Sequence, residues 1–402
     1  MTSTVELNDT NTTSALMQLT DKPDAIMVRG RGSYLWDERG RRYLDFVQGW
    51  AVNALGHCPE VVQRALHEQA GELINASPAY HNRPSLAFAA ELAAATGLPR
   101  VFFCASGAEA NEGAIKLARK WGALHKGGAH EIITLEGSFH GRTLAAMAAS
   151  GKPGFAERFP PVMPGFVHAA HGDIAAVARA IHAGTVAVML EPIQGEAGVV
   201  CLPDGYLREL RALTEARGVL LILDEIQTGM GRTGRLLACE HEGVRPDILT
   251  LAKGIGAGVP LAALLARETV SCFAPGDQGG TYTQHPLTCA VGRAVLRELT
   301  SDGFLERVVA RGERLQQRLV QLSREQQLGS VRGQGLLLAL DLAAPLGPAV
   351  VQAAFDRGLL LNSPRPELLR FMPALNVSED EIDEMLSVLS ASLAQARAAR
   401  SQ

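Results

Sequence analysis

Between residues 100 and 270 the chain repeats one pattern. Short apolar runs with no polar alternation are separated by stretches of helical period. The runs are "RVFFC" from Arg100, "EIITLE" from Glu131, "AVMLEPI" from Ala187, "VLLILDE" from Val219, "DILTLA" from Asp247 and "PLAALLA" from Pro260. Strands that are apolar on both faces need cover on both faces, which is the condition of a parallel sheet between helical layers. The intervening "EANEGAIKLARKWGAL" and "DGYLRELRALTEARG" supply the crossover helices of βαβ units. The expectation is therefore an α/β protein with a large, mainly parallel sheet.

After about residue 295 the grammar changes. "FLERVVARGERLQQRLVQLSRE" reads as a long helix, and "GQGLLLALDL" and "ELLRFMPAL" read as strands. Ser378 and Glu381 form an S-x-x-E capping box that opens a closing helix. Near the other end, residues 28–48 read as a hairpin turned at Glu38-Arg39-Gly40. With 402 residues, 47% of them hydrophobic, the chain can fill more than one core. Residues 51–295 are expected to form the large domain. Residues 1–50 and 296–402 would together build a smaller α+β unit beside it.

Charge narrows the partners. A formal net charge of −4 leaves no extended basic face, so neither nucleic acid nor an anionic membrane is expected as a main partner. The first twenty residues hold no lysine or arginine and no apolar core, which is unlike a signal or transit peptide. The sequons at Asn8 and Asn11 are read as incidental. Cysteines at 58, 104, 201, 239, 272 and 289 show no C-x-x-C and no regular spacing, so buried reduced thiols are expected. The chain is expected to be cytoplasmic.

Three predicted strand ends carry unusual chemistry. After "VFFC" come Ser106, Gly107 and Ala108, with Glu109 completing a cap; such a helix start suits a phosphate, or is an ordinary turn. "LLILDE" ends in Asp224 and Glu225, which either face solvent or meet a cationic partner. In "LTLAKGIGAG", Lys253 stands between an apolar run and glycines, either capping a turn in water or acting as a desolvated nucleophile. Dinucleotide and Walker fingerprints are both incomplete or absent. An anion-binding helix start, a carboxylate and an isolated lysine at predicted strand ends of one sheet describe a pyridoxal phosphate site. There the carboxylate keeps a pyridinium nitrogen protonated.

"SGAEANEGAIKLARKW", "SFHGRT", "LEPIQGEAGV", "DEIQTGMGRTG" and "TLAKGIGAGVPLAALLA", in that order, resemble the class III (subgroup II) pyridoxal phosphate aminotransferases. The chain is nearest those acting on acylated ornithine. The likeness spans about residues 25 to 390 and includes the 29-residue interval from Asp224 to Lys253. It implies a type I transferase fold working as a homodimer with shared active sites. It also implies that Lys253 forms a Schiff base with the cofactor and shuttles the proton, that Asp224 holds the ring nitrogen, and that Gln227 reaches the phenolic oxygen. Phe139 would stack on the ring. Ser106, Gly107 and Ala108 would cradle the phosphate, and the neighbouring subunit's cup would be completed by Thr281. Glu191, Glu225 and Ile226 would belong to the cofactor's surroundings. Arg142 and Arg370 would bind carboxylates, with Glu196 neutralising Arg370 when no α-carboxylate is present.

The chain departs from the family at "GTYTQHP", where Gly280 stands in place of a substrate-touching serine and Thr283, Gln284 and His285 replace small residues. That puts fine substrate choice in question. His140 reads as a packing residue, because Lys253 already fills the role of base. The leading expectation is transfer of the terminal amino group of N2-acetyl-L-ornithine to 2-oxoglutarate, giving the 5-semialdehyde and L-glutamate. Succinylornithine, succinyl-diaminopimelate, ornithine and 4-aminobutyrate remain alternative donors. From other classes, a cofactor-free lysine aldolase or decarboxylase would leave Asp224 and the phosphate turn without a purpose. A non-catalytic dimer would leave Lys253, Asp224 and Arg142 without one.

Overall fold

A computed structural model describes residues 15–400. The sequons and most of the N-terminal stretch weighed for targeting lie outside the described residues. Strands β1 (Met27–Arg31), β2 (Tyr34–Asp37) and β3 (Arg42–Asp45) form an antiparallel meander. β4 (Arg100–Cys104), β5 (Glu131–Leu135), β6 (Phe166–Ala169) and β7 (Thr185–Leu190) follow, then a two-stranded ribbon of β8 (Ile193–Gln194) and β9 (Val200–Cys201). Next come β10 (Leu220–Asp224), β11 (Ile248–Leu251) and β12 (Ala262–Ala266). The C-terminal part adds β13 (Val331–Gln334), β14 (Leu337–Asp341), β15 (Leu359–Leu360), β16 (Asn362–Arg365) and β17 (Leu368–Phe371).

The large sheet has the order β4-β12-β11-β10-β7-β5-β6. All six apolar runs named above are strands of it. β7, β10, β11 and β12 are buried at every position, as expected for strands covered on both faces. β6, "FVHA", carries no such signal in the sequence. It is an edge strand of four residues, partly covered, and its short apolar run is broken by His168. "PLAALLA" suggested another parallel strand, but β12 runs antiparallel to both β11 and β4. Being flanked on both sides, it is as apolar as its neighbours, and direction leaves no trace in composition. One consequence matters for the site. β4, β10 and β11 all point the same way, so their carboxyl ends share one edge of the sheet.

The chain's two ends meet in a second set of sheets. β3 pairs in parallel with β15, Leu44 opposite Leu359, while β13-β14-β17-β16 form an antiparallel sheet. The closing helix Glu379–Arg400 begins at the capping box, where Glu381 N donates to Ser378 Oγ at 3.1 Å and Ser378 N donates to Glu381 Oε2 at 2.8 Å. The same carboxylate accepts from Ser33 Oγ at 2.9 Å, tying the first meander to the last helix. Of the cysteines, Cys104, Cys239 and Cys289 are buried, but Cys58 and Cys201 are exposed, against expectation. All six are free thiols. Among the described residues no helix is long and apolar enough to cross a membrane.

Candidate active site

A cavity of about 350 Å3 opens at the shared carboxyl edge. At the end of β4 the chain turns through Ser106 into the helix Gly107–His125. Ser106 Oγ accepts from Glu109 N at 3.3 Å, and Glu109 Oε2 accepts from Ala105 N at 2.9 Å. The serine is thereby committed to capping. The first-turn N–H groups of Gly107 and Ala108 have no intrahelical acceptor, as at any helix start, and both residues line the cavity. A Cβ at Gly107 would come within 2.8 Å of Ile226 Cδ1, so glycine lets the turn sit this close to the segment after β10 without displacing that side chain.

Asp224, the last residue of β10, is buried at the cavity wall. Its Oδ2 accepts from Asn111 Nδ2 at 2.7 Å and from His140 Nδ1 at 2.8 Å, and its Oδ1 accepts from Ile226 N at 3.1 Å. Asn111 is locked in turn, donating to His140 O at 2.7 Å and accepting from Thr250 Oγ1 at 2.8 Å. His140 is thus more than the packing residue expected: it lines the cavity and orients the carboxylate. Burial alone would lower its pKa, but the Asp224 carboxylate outweighs burial and raises it. Neither Asn111 nor His140 stood out as a site residue in the sequence. The available signal for Asn111 was a small amide on the apolar face of a helix.

Gln227 also lines the cavity, and both polar atoms of its amide are buried without a hydrogen-bond partner among the described residues. Such atoms are costly unless a ligand meets them. Phe139 and Glu191 complete this wall, joined by a 2.9 Å bond from Phe139 N to Glu191 Oε1. Burial pushes Glu191 up to about 7, with Asp224 adding to the rise and His140 opposing it.

Lys253 follows β11 with a φ of 44°, left-handed backbone that a non-glycine residue adopts at a cost. It is partly buried and lines the cavity. Its ammonium makes no hydrogen bond or ion pair among the described residues. Enclosure pulls its pKa below the ordinary lysine value of 10.5, against the pull of the Glu196, Glu191 and Asp224 carboxylates and with help from Arg370. The neutral amine is the nucleophile. Attack of the cofactor-free protein on an added aldehyde should therefore speed up as pH rises and level off below pH 10.5. Rapid-mixing absorbance traces across pH would test this, and a midpoint at 10.5 or above would contradict it.

Arg370, on β17, is fully buried. Its Nη1 donates to Glu196 Oε1 at 2.8 Å and its Nε to Asn362 Oδ1 at 2.9 Å, while Nη2 has no partner among the described residues. Burial by itself would raise the Glu196 carboxyl, but Arg370 outweighs it and holds the pKa below normal. Glu196 lines the cavity, and Arg370 stands behind it, bonded to its carboxylate.

Other expected site residues lie elsewhere. Glu225 does not line the cavity. Its side chain points to the opposite side of the chain from Asp224 and accepts from Ala238 N at 2.6 Å and Cys239 N at 2.9 Å, so it serves as an internal brace. Burial raises its carboxyl to about 7. Arg142, Gly280 and Thr281 are exposed and line no part of this chain's cavity.

The donors and acceptors fit pyridoxal phosphate. The helix start suits the phosphate, the unpartnered Gln227 amide a phenolic oxygen, Asp224 a pyridinium, Phe139 a ring face and Lys253 an aldehyde. Comparisons with known proteins agree. The family model for class-III aminotransferases matches residues 17–393. An acetylornithine aminotransferase 2 of Bordetella bronchiseptica is 55% identical, over 96% of this chain and 98% of that protein. An acetylornithine aminotransferase of Ralstonia nicotianae is 52% identical, over 93% and 96%. Among solved structures, the ornithine aminotransferase of Toxoplasma gondii superposes with a TM-score of 0.91 at 32% identity, covering 96% of this chain and 94% of that one. The N-acetylornithine aminotransferase of Stenotrophomonas maltophilia gives 0.83 at 37% identity, covering 94% and 98%. The chain belongs to the class-III aminotransferases.

Proposed function

We propose that this pyridoxal-phosphate-dependent transaminase moves the terminal amino group of N2-acetyl-L-ornithine to 2-oxoglutarate. The products are N-acetyl-L-glutamate 5-semialdehyde and L-glutamate. The observation that carries this reading is the Glu196–Arg370 pair, a buried guanidinium neutralised by a carboxylate at the cavity wall. A terminal amine has no carboxylate beside its carbon, so Arg370 keeps Glu196 as its partner while that donor reacts. Glutamate brings an α-carboxylate, which would displace Glu196 and also meet the free Nη2. The names of the 55% and 52% identical relatives support the choice of donor.

Bound pyridoxal phosphate supplies an electron-withdrawing ring that stabilises negative charge at the carbon losing its proton. The chain's residues do the rest. Lys253 Nζ, at the cavity wall, would take up that proton and hold it for return. A carboxylate offers about four acceptor positions, and Asp224 already uses three, so the remaining one at Oδ1 would take the ring N–H. Gln227 would meet the phenolic oxygen, and Gly107 and Ala108 the phosphate. In a homodimer the exposed Thr281 and Gly280 would serve the neighbouring site, and Arg142 would reach a substrate carboxylate. The absence of a long apolar helix among the described residues is compatible with work in the cytoplasm.

Glu196→Gln tests the reading. The acetylornithine half-reaction should slow by about tenfold or more, as when one side of a buried ion pair is removed, and the glutamate half-reaction much less. Equal losses would remove the proposed switch. With the wild-type protein, kcat/KM should be higher for N2-acetyl-L-ornithine than for succinylornithine, ornithine or 4-aminobutyrate. A reversed order would reassign the donor.

A further inference from the structure

Away from the catalytic cavity, a cleft of about 1210 Å3 opens between the N-terminal meander and the starts of the helices Glu60–Glu72 and Phe304–Glu325. No residue lines both. Five arginines face this cleft, Arg29, Arg31, Arg64, Arg307 and Arg311, against two carboxylates, Glu60 and Glu298. In a chain of net charge −4, that is a local reversal of sign. None of the five forms an ion pair with a carboxylate among the described residues.

What they do touch leaves their charge unmatched. Arg29 stacks over the Trp36 ring at 4.0 Å, using its face and leaving its N–H edge open. Arg307 lies 5.9 Å from the Phe304 ring centre, and Arg311 Nη1 donates to Leu375 O at 3.1 Å. Burial lowers the Arg311 pKa, and the nearby Arg307 charge lowers it further, with Glu381 opposing. Gathering cations in one concavity costs free energy when nothing offsets their repulsion.

A second, independent feature has the same sign. The helices of 13 and 22 residues begin after Pro59 and Gly303, and neither start has a side-chain cap. First-turn residues of both line the cleft. Val62 N donates to Pro59 O and Phe304 N to Ser301 O, each at 3.1 Å, and each first turn holds one carboxylate, Glu60 and Glu306. The other first-turn N–H groups lack an intrahelical acceptor and stand at the positive end of a helix dipole.

We propose that this cleft binds a small, multiply charged anion whose phosphate or carboxylate groups are held by the five guanidiniums and the two helix starts. Planar guanidiniums suit either group, and several charges are needed to engage several arginines at once. The cleft is connected to the catalytic cavity through one short segment. Leu55 and His57 line the cleft, and Val52 lines the cavity.

The test is calorimetric titration of inorganic pyrophosphate, and separately of citrate, into the cofactor-loaded protein at about 0.15 M salt, where non-specific attraction is screened. Loading fills the catalytic phosphate cradle before titration. Saturable binding of at least one probe, with one site per chain, is expected. A variant combining Arg31→Gln and Arg311→Gln should weaken it about tenfold or more, the scale of losing charge-assisted hydrogen bonds. The visible absorption of the loaded protein and the KM for both substrates should stay as in the wild type. Binding of pyrophosphate alone identifies a phosphorylated ligand, and binding of citrate alone a polycarboxylate. If the double variant unfolds at lower temperature, the exposed Arg64→Gln replaces it as the readout. Absence of saturable binding for both probes, or unchanged affinity in the variants, overturns the proposal.

Discussion

Lys253→Ala is expected to lower kcat by about a thousandfold or more while leaving the fold intact. The magnitude is that of removing a positioned proton carrier, here also the group that bonds the cofactor. The side chain forms no hydrogen bond or ion pair among the described residues, so its removal breaks no internal network. Alanine also relieves the desolvation of an enclosed ammonium. The variant should therefore unfold at a temperature equal to or above that of the wild-type apoprotein. Borohydride should fix cofactor to the wild-type chain but not to the variant, so after reduction and dialysis in denaturant cofactor absorbance stays with the wild type only. Retention of even a tenth of wild-type turnover would move the chemistry to another amine.

Asp224→Asn should act in the opposite way on stability and nearly as strongly on rate. Asp224 accepts three hydrogen bonds, from Asn111, His140 and the backbone at Ile226. An asparagine can present its oxygen to only some of these donors, and its own N–H2 would face the others. Leaving buried donors unmatched costs about 1–3 kcal/mol, which thermal or denaturant unfolding would register in the apoprotein. The rate should fall by about a hundredfold or more, since the fixed negative charge that favours a protonated ring is gone. His140 should lose much of its raised pKa in the same variant, because the carboxylate is what raises it. An NMR titration of the histidine ring would read this directly. If the rate holds while stability falls, Asp224 is a structural residue only.

Much of the architecture could be read before any coordinates because burial leaves a periodic record. Strands covered on both faces must be apolar throughout, so β7, β10, β11 and β12 announced themselves. The capping pairs Ser106–Glu109 and Ser378–Glu381 marked helix starts, because a polar pair three residues apart satisfies otherwise unmet N–H groups. β6 stayed silent because its four residues, interrupted by His168, make too short an apolar run to stand out. The direction of β12 was hidden because parallel and antiparallel strands, equally covered, select the same residues.

The candidate site divides along the same line. Lys253, Asp224 and the Ser106-Gly107-Ala108 turn were legible because each is an anomaly at the end of an apolar run. Glu225 looked as promising as Asp224 in one dimension. Only the direction of its side chain, onto the backbone at Ala238 and Cys239, separates the two. His140 and Asn111 were passed over because their importance is a relation to Asp224 at 2.7–2.8 Å, with Asn111 and Asp224 lying 113 positions apart.

The order of residues by itself determined the buried strands and the capped helices, where three chemical groups stand at strand ends, and that no long basic face exists. Periodicity, caps and charge are local properties and survive in one dimension. Tertiary structure decided the rest: that the three ends share one edge, that β17 brings Arg370 to Glu196 across 174 positions, and that five arginines from distant segments line one cleft. These depend on strand order and packing direction, which arise from the mutual burial of whole elements.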